Sequence, residues 1–376
     1  MLFGPPSLDP DEKAVLERIE LLRKELGFGL SPRRWFGLLR KNTSARAVRG
    51  SIGIEGFRVS VDDAMAAVEN EKPVDAGTEE TAALSGYQSA MTLVLQKADD
   101  PYFKYSSEFL NALQFMMVGY DLSGDPGRWR RAPIFVRDDQ TQEVVYEGPS
   151  TELVPDLMEE LVVTLNQPEG DLDPVILGAM AHLNLVMIHP YSDGNGRMAR
   201  ALQTLVLARS GNTHPMFSSI EEYLGRNTRE YYDVLAEVAG GTWQPTRDTR
   251  PWIRFSLRAH FRQATTLRRR ADYYHRLFDE VEVQVERLDL PDRCIPAVAE
   301  AALGYRIRNA TYRSSADVSE VTASRDLKAM VDAGILVPKG SKRGRFYLAS
   351  PVLQAVADKI PQPQRPGDPF AELKRK

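Results

Sequence analysis

The stretch IHPYSDGNGRMAR, Ile188–Arg200, gathers one of the chain's five histidines, an aspartate, two glycines around an asparagine and two arginines. The residues before it, Pro174 to Ile188, are nearly all apolar, as in a central buried helix, and Pro190 stops that helix. SDGNG is turn chemistry, and RMARALQTLVLARSG starts a second helix that closes at Gly211. A glycine-rich turn running into a helix N-terminus aims bare N–H groups and the positive end of the helix dipole at one point, which makes an anion site. Arg197 and Arg200 add two fixed positive charges one helical turn apart, so the expected ligand is a polyphosphate. Asp193 supplies a hard carboxylate suited to a Mg²⁺ that rides on phosphate oxygens. His189, at the rim, can take a proton from an incoming hydroxyl. Anion cradle, metal ligand and base within twelve residues suit nucleotidyl transfer. No GxxxxGK[ST] motif occurs elsewhere, which leaves this loop as the leading nucleotide site.

The whole chain sets bounds on that reading. Its 376 residues, 43% of them hydrophobic, suffice for two or three domains with buried cores. A net charge of −4 supplies no global field for nucleic acid or anionic membrane, so such a partner must be met locally. The single cysteine, Cys294, excludes an intramolecular disulfide and a cysteine-rich metal site, and fits a reducing cytoplasm. The N-terminal MLFGPPSLDPDEKAVLERIE lacks the basic start and apolar core of a signal peptide, and no apolar run is long enough to span a membrane.

The expected fold is mainly α. Helical periodicity runs through Asp11–Leu26, Asp62–Glu69, Glu79–Lys97, Ser107–Val118 and Leu153–Leu165. The main exception is Ala132–Pro149, where two short β-prone runs flank RDDQTQ as in a hairpin. Arg247 to Arg270 contains eight arginines and reads as a helix with a solvated basic face. After the boundary LPDRCIP, the chain resembles a winged helix-turn-helix: Ser319 and Thr322 cap a helix to Ala333, Gly334 ends it, and KGSKRG separates two strand-like runs. Residues 301–350 hold nine Lys/Arg against four Asp/Glu, which fits either DNA or a docked protein. The last residues, 351–376, Pro-rich and charged, read as a disordered tail.

HPYSDGNGRMAR resembles the signature of the Fic (filamentation induced by cAMP) family, HxFx[DE]GNGRxxR, with Tyr191 in place of the usual Phe. Tyr keeps the anchoring ring, but its hydroxyl then needs a partner or a path to water. The resemblance implies an all-helical Fic core at 101–265, with a β-hairpin flap at 132–149 and the active-site loop at 189–200. Around it stand an N-terminal helical region at 1–100 with an inhibitory helix at about 46–56, a helical linker at 266–292 and a winged-helix (α+β) domain at 293–350. The implied activity is protein adenylyltransferase (AMPylator): AMP passes from ATP, with Mg²⁺, to a hydroxyl of a target protein. His189 is then the general base and Asp193 the Mg²⁺ ligand. Gly194, Asn195 and Gly196 form the anion hole, with Arg197 and Arg200 on the β- and γ-phosphates. GRNTREYYDVL looks like the adenine-pocket segment, which makes Asn227, Tyr231 and Tyr232 candidates. The flap implies registration of an extended target segment by strand addition.

GSIGIEGFRVS resembles the family's inhibitory motif [ST]xxxE[GN] through Ser51, Glu55 and Gly56. On a helix Ser51 and Glu55 share a face and Gly56 is a natural C-cap. The implied role of Glu55 is to hold Arg200 where the γ-phosphate belongs, giving an autoinhibited enzyme; in some relatives the same glutamate supports AMP removal. Two alternatives stand beside this reading: another transfer on the same scaffold, and a transcriptional regulator whose winged helix binds DNA while the Fic core senses nucleotide. A monomer and a homodimer both fit the sequence.

Overall fold

The computed structural model describes residues 1–28, 34–137, 141–168, 170, 172–211, 217–341 and 344–374. Five helices come first: α1 (Pro10–Phe28), α2 (Phe36–Ile54), α3 (Val61–Val68), α4 (Thr78–Ala98) and α5 (Ser107–Val118). Strands β1 (Phe135–Arg137) and β2 (Val144–Glu147) follow, then α6 (Val154–Asn166), α7 (Pro174–Ile188), α8 (Asn195–Arg209), α9 (Glu221–Arg226) and α10 (Thr228–Ala239). After β3 (Gly241–Thr242) comes the long α11 (Arg250–Arg287), then α12 (Ile295–Ala302), β4 (Ile307–Arg308), α13 (Asn309–Ala316) and α14 (Glu320–Asp332). The chain ends with β5 (Leu336–Lys339), β6 (Phe346–Ala349), α15 (Pro351–Asp358) and α16 (Pro369–Leu373). Among the described residues no helix is long and apolar enough to cross a membrane.

The chain divides into two compact units, one of Met1–Gly29, Thr43–Thr265 and Pro366–Lys376, the other of Leu30–Asn42 and Thr266–Arg365. Residues 1–100, expected as a region apart, are therefore shared between them, most joining the first unit.

In the first unit α7 is the central helix, buried along almost its whole length. Asp173 caps it by accepting from the Val175 N–H at 2.7 Å, with Pro174 at the first turn, where its missing N–H costs nothing. Around α7 pack Ile220, Leu224, Trp252 and Phe255, and the Trp252 indole N–H donates to the Ala179 carbonyl at 2.7 Å. A buried polar chain threads this core. The Tyr231 hydroxyl meets His182 Nε2 at 2.9 Å and His182 Nδ1 meets Gln203 at 2.6 Å. Gln203 Nε2 meets His260 at 2.9 Å, and His260 meets Arg23 at 3.1 Å. Each buried polar group thereby has the partner it needs. Burial pushes His182 down to about 3, so it is held neutral.

Strands β1 and β2 pair antiparallel, Phe135 opposite Glu147, with an irregularity after Val136. The expected turn falls partly on residues 138–140, outside the described residues. A third strand, β3, not expected from the sequence, pairs parallel to β2 and leaves β1 at the edge of the order β1-β2-β3. Two residues of strand carry too little alternation to be recognised.

Two expectations are corrected. The arginines of α11 are not a solvated basic face: Arg250 and Arg254 both grip Asp9 and the buried Glu12, and Arg258 grips Glu230 and Asp368. Periodicity identified the face, but the acidic partners of Arg250 and Arg254 lie more than two hundred residues away in α1 and its approach. Nor is the tail expected at 351–376 disordered over its described residues, 351–374. Ser350 caps α15 and Asp368 caps α16, each followed by a proline at the first helical position. Phe370 is buried in the first unit's core, beneath Arg254. The Pro-rich composition masked two cap-and-proline helix starts.

In the second unit, β4, β6 and β5 form an antiparallel sheet in that order, with α13 and α14 between β4 and β5. Ser319 caps α14 by accepting from the Thr322 N–H, while Thr322 itself lies inside the helix; Gly334, at φ +74°, follows its end. Arg293 binds both oxygens of Asp326, at 2.7 and 2.9 Å, and the Tyr312 hydroxyl donates to the same carboxylate. Part of KGSKRG, residues 342–343, lies outside the described residues.

Candidate active site

The end of α7 and the start of α8 are tied by backbone geometry. His189 takes a left-handed conformation at φ 52° as the C-cap of α7, and Gly194, at φ +82°, is the N-cap of α8. At Gly194 a Cβ would meet Val118 at 3.0 Å, so glycine answers both the positive φ and the close neighbour. Asn195 closes the loop on itself, its Oδ1 accepting from the Tyr191 N–H at 3.0 Å and its Nδ2 donating to the Tyr191 carbonyl at 2.8 Å. Its side chain is thus the loop's clasp, which leaves its backbone N–H for the anion hole expected of it. The Tyr191 ring is buried and its hydroxyl finds the partner it requires in Asn111 at 3.1 Å.

His189 Nδ1 lies 3.1 Å from the Val186 carbonyl. A carbonyl only accepts, so Nδ1 carries the hydrogen and Nε2 is left as the proton acceptor. Burial lowers the His189 pKa against the opposing effect of that carbonyl, which favours the neutral, basic form.

Arg130, which no sequence signal singled out, holds the loop to the hairpin. Its Nε donates to the His189 carbonyl at 2.8 Å, Nη1 to Ala132 at 3.0 Å and Nη2 to Pro149 at 2.5 Å. One buried guanidinium therefore fixes both ends of the hairpin against the residue expected to act as base.

Arg197 and Arg200 are buried, 2% and 1% exposed. Asp193 lies at the rim, its carboxylate 60% exposed, bridging Arg197 Nη2 at 2.6 Å and the Gly194 N–H at 2.6 Å. Arg200 reaches α2: Nε donates to Ser51 Oγ at 2.7 Å, Nη2 to the Ser51 carbonyl at 3.1 Å and to Glu55 Oε1 at 2.7 Å. Glu55 Oε2 stands 4.0 Å from Arg197 Nε. Burial opposes both guanidinium charges, yet the Glu55 carboxylate beside them holds both pKa values above the ordinary arginine range. Two donors, Arg197 Nε and Arg200 Nη1, are buried with no hydrogen-bond partner. Such orphans are costly unless an anion meets them. At Gly196 a Cβ would strike Glu55 Oε1 at 2.8 Å and Arg200 Nη1 at 3.0 Å, so this glycine keeps the space above the arginines open.

Beneath Arg200 lies Glu221, buried, its Oε1 receiving the Tyr87 hydroxyl at 2.9 Å. Burial pushes its carboxyl up to about 7 against the pull of Arg200. Nothing in the local sequence marks Glu221 or Tyr87, since both act only through the packing of α4 and α9 on α8.

The other expected site residues are placed as follows. Gly56, at φ +89°, ends the turn after α2. Tyr231 is a core residue bonded to His182, whereas Tyr232 is half exposed, its hydroxyl 3.4 Å from the Ile54 carbonyl, one residue from Glu55. Asn227 donates to the Tyr223 carbonyl at 2.7 Å, holding the corner between α9 and α10. The structure thus brings His189, Asp193, Arg197, Arg200, Ser51 and Glu55 together, and sets Tyr232 and Asn227 on the segment beyond.

A helical domain with two buried arginines above a glycine-rich helix start has the architecture of an anion-binding site. Residues 105–207 match the Fic/DOC family. The protein adenylyltransferase Fic of Aedes aegypti is 29% identical over 212 residues, 54% of this chain and 38% of that protein. Protein adenylyltransferase fic-1 of Caenorhabditis elegans is 37% identical over 116 residues, 30% of this chain and 20% of that protein. The chain thus spans well under half the length of the curated relatives it matches. Among solved structures, a Fic family protein of Desulfovibrio desulfuricans G20 superposes with a TM-score of 0.60 at 18% identity, over 93% of this chain and 99% of that one. Fic-1 of C. elegans gives 0.54 at 22% identity, over 68% and 71%. These likenesses establish the fold.

Proposed function

We propose that the chain is a protein adenylyltransferase that moves AMP from ATP to a hydroxyl side chain of a target protein and is held inactive by Glu55. The observation that carries this reading is the pair of orphaned, buried N–H donors on Arg197 and Arg200, a few ångströms from a carboxylate that occupies one edge of the same space. The phosphates of ATP would satisfy those donors, with the N–H groups at the start of α8. The target hydroxyl attacks the α-phosphorus, His189 Nε2 takes its proton, and the bond to the β-phosphate breaks with pyrophosphate leaving. The names of the curated relatives support AMP as the transferred group.

Mg²⁺ fits the donor set in one way. Among the described residues no group of three His, Cys, Asp or Glu could cage a metal, but Asp193 offers a single exposed carboxylate of the kind that shares Mg²⁺ with phosphate oxygens. Bound there, the ion would offset phosphate charge. Tyr232 is the candidate for the adenine ring, since its neighbour Tyr231 is committed to the core. The exposed edge of β1 is the candidate for an extended target segment, which would add to it as a strand. In the second unit, the order helix, strand, two helices and two antiparallel strands supports a winged-helix reading. The test is direct: with ATP and Mg²⁺ in lysate, mass spectrometry should find AMP added to a hydroxyl of this chain or of a partner protein. No AMP adduct even after Glu55 is removed would refute the reading.

The inhibitory position of α2 depends on two glycines. A Cβ at Gly225 would lie 2.6 Å from Gly50 Cα, and one at Gly50 would lie 2.4 Å from the Glu221 carbonyl. Backbone meets backbone there, so α2 must shift if either gains a side chain. Gly225→Ala should therefore lower stability by about 1–3 kcal/mol and also raise self-labelling, because Glu55 moves with α2. Unchanged labelling with a lowered Tm would show that Glu55 does not restrain the site.

A further inference from the structure

We propose that a pocket on the outer face of α2 binds a phosphate-bearing small molecule with an aromatic ring, and that this ligand clamps α2 in its inhibitory position. The pocket holds about 400 Å³ and is lined by Arg46, Arg49, Arg58, Arg226, Phe57 and Glu222, together with backbone of neighbouring glycines. Its size suits a small-molecule ligand. At 3.6 residues per turn, Arg46 and Arg49 point roughly half a turn away from Ser51 and Glu55. The pocket is therefore on the side of α2 opposite the Arg200 contact.

Four guanidiniums from three segments line it: two from α2, one from the stretch after it and one from the last residue of α9. The carboxylate among the lining residues is Glu222, buried, 2.6 Å from Arg226, 3.7 Å from Arg46 and 3.3 Å from Gln263 Nε2. Arg49 Nε donates to the Val59 carbonyl at 2.8 Å, a bond that folds the stretch after α2 back along the pocket wall. Like charges so placed repel, and an anion between them converts repulsion into a bridge from α2 to α9. Guanidinium groups with their forked donors favour phosphate over a compact monovalent anion. Phe57, half-buried at the rim, gives a ring something to stack on.

The consequence for activity rests on the proposed inhibition by Glu55. Gly50 touches α9 from the same helix turn that carries Ser51, so tightening α2 onto α9 holds Ser51 and Glu55 on Arg200. The ligand is thus a negative effector.

Calorimetry on the full chain, with inorganic phosphate and guanosine 5′-monophosphate as separate probes, decides the site. Both should bind, the nucleotide more tightly, and both at least tenfold more weakly to the Arg49→Ala/Arg58→Ala variant, whose altered side chains are exposed and outside the catalytic loop. No heat, or heat unaffected by the double substitution, overturns the pocket; equal affinity of the two probes overturns the ring-bearing ligand. Guanosine monophosphate should also lower self-labelling of the unaltered chain but not of the double variant, and equal inhibition of both overturns the clamp. Should Glu55→Gly fail to exceed the unaltered chain in labelling, the inhibition reading falls while calorimetry still decides the pocket.

Discussion

Glu55→Gly is expected to raise self-labelling by ATP roughly tenfold to a hundredfold. The charged hydrogen bond from Arg200 Nη2 to Glu55 Oε1 is 2.7 Å long, and the Glu55 side chain is 19% exposed. A bond of this kind contributes about 1.5–3 kcal/mol, and about 1.4 kcal/mol corresponds to tenfold in an equilibrium. In the unaltered chain a γ-phosphate must displace that carboxylate from Arg200 and overcome its charge near Arg197. Without it, Arg200 stays in place, because Ser51 still accepts from Nε and Nη2. Labelling therefore rises while the phosphate clamp keeps its shape. Radiolabelled ATP and a time course measure this; labelling equal to or below that of the unaltered chain would sink the proposed inhibition.

His189→Ala in the Glu55→Gly background should lower transfer by roughly 10²–10⁴-fold, the usual contribution of a positioned general base, with nucleotide affinity little changed. The Nδ1 contact with Val186 and the Arg130 bond to the His189 carbonyl position the ring, so its loss removes the proton acceptor and leaves the phosphate clamp intact. The pH profile offers a second check. Burial depresses the His189 pKa, so the neutral base persists below the ordinary histidine value of 6.5. Transfer should be flat through neutrality and fall only on acidification beyond that value. A profile still rising above pH 7, or a His189→Ala protein as active as its parent, counts against His189 as the base.

Much of this was legible in the chain because the information is local. α5 runs over the residues its periodicity implied and α7 over the apolar run that Pro190 stops, since a serine or aspartate cap and a stopping residue act within a few positions. α15 and α16 carry the same signals but were hidden by a composition that reads as disorder. Arg130 had no signal at all: its three acceptors are backbone carbonyls, which have no residue identity to recognise. The choice between Tyr231 and Tyr232 was equally closed to the sequence, because adjacent residues differ only in which helix face the core takes.

By itself, the sequence determined the loop from His189 to Arg200. Its turn glycines, its asparagine clasp and its two arginines act across a few bonds, and residues so close have few ways to be arranged. The tertiary structure makes the contact of Arg200 with Glu55, which the sequence offered only through a family resemblance, and adds Ser51 as a second partner. Those partners stand 149 and 145 residues away, and their reach is set by the bare contact of Gly50 with α9. A pairing over that distance depends on how whole helices pack, and packing is a property of the assembled core that no local pattern encodes.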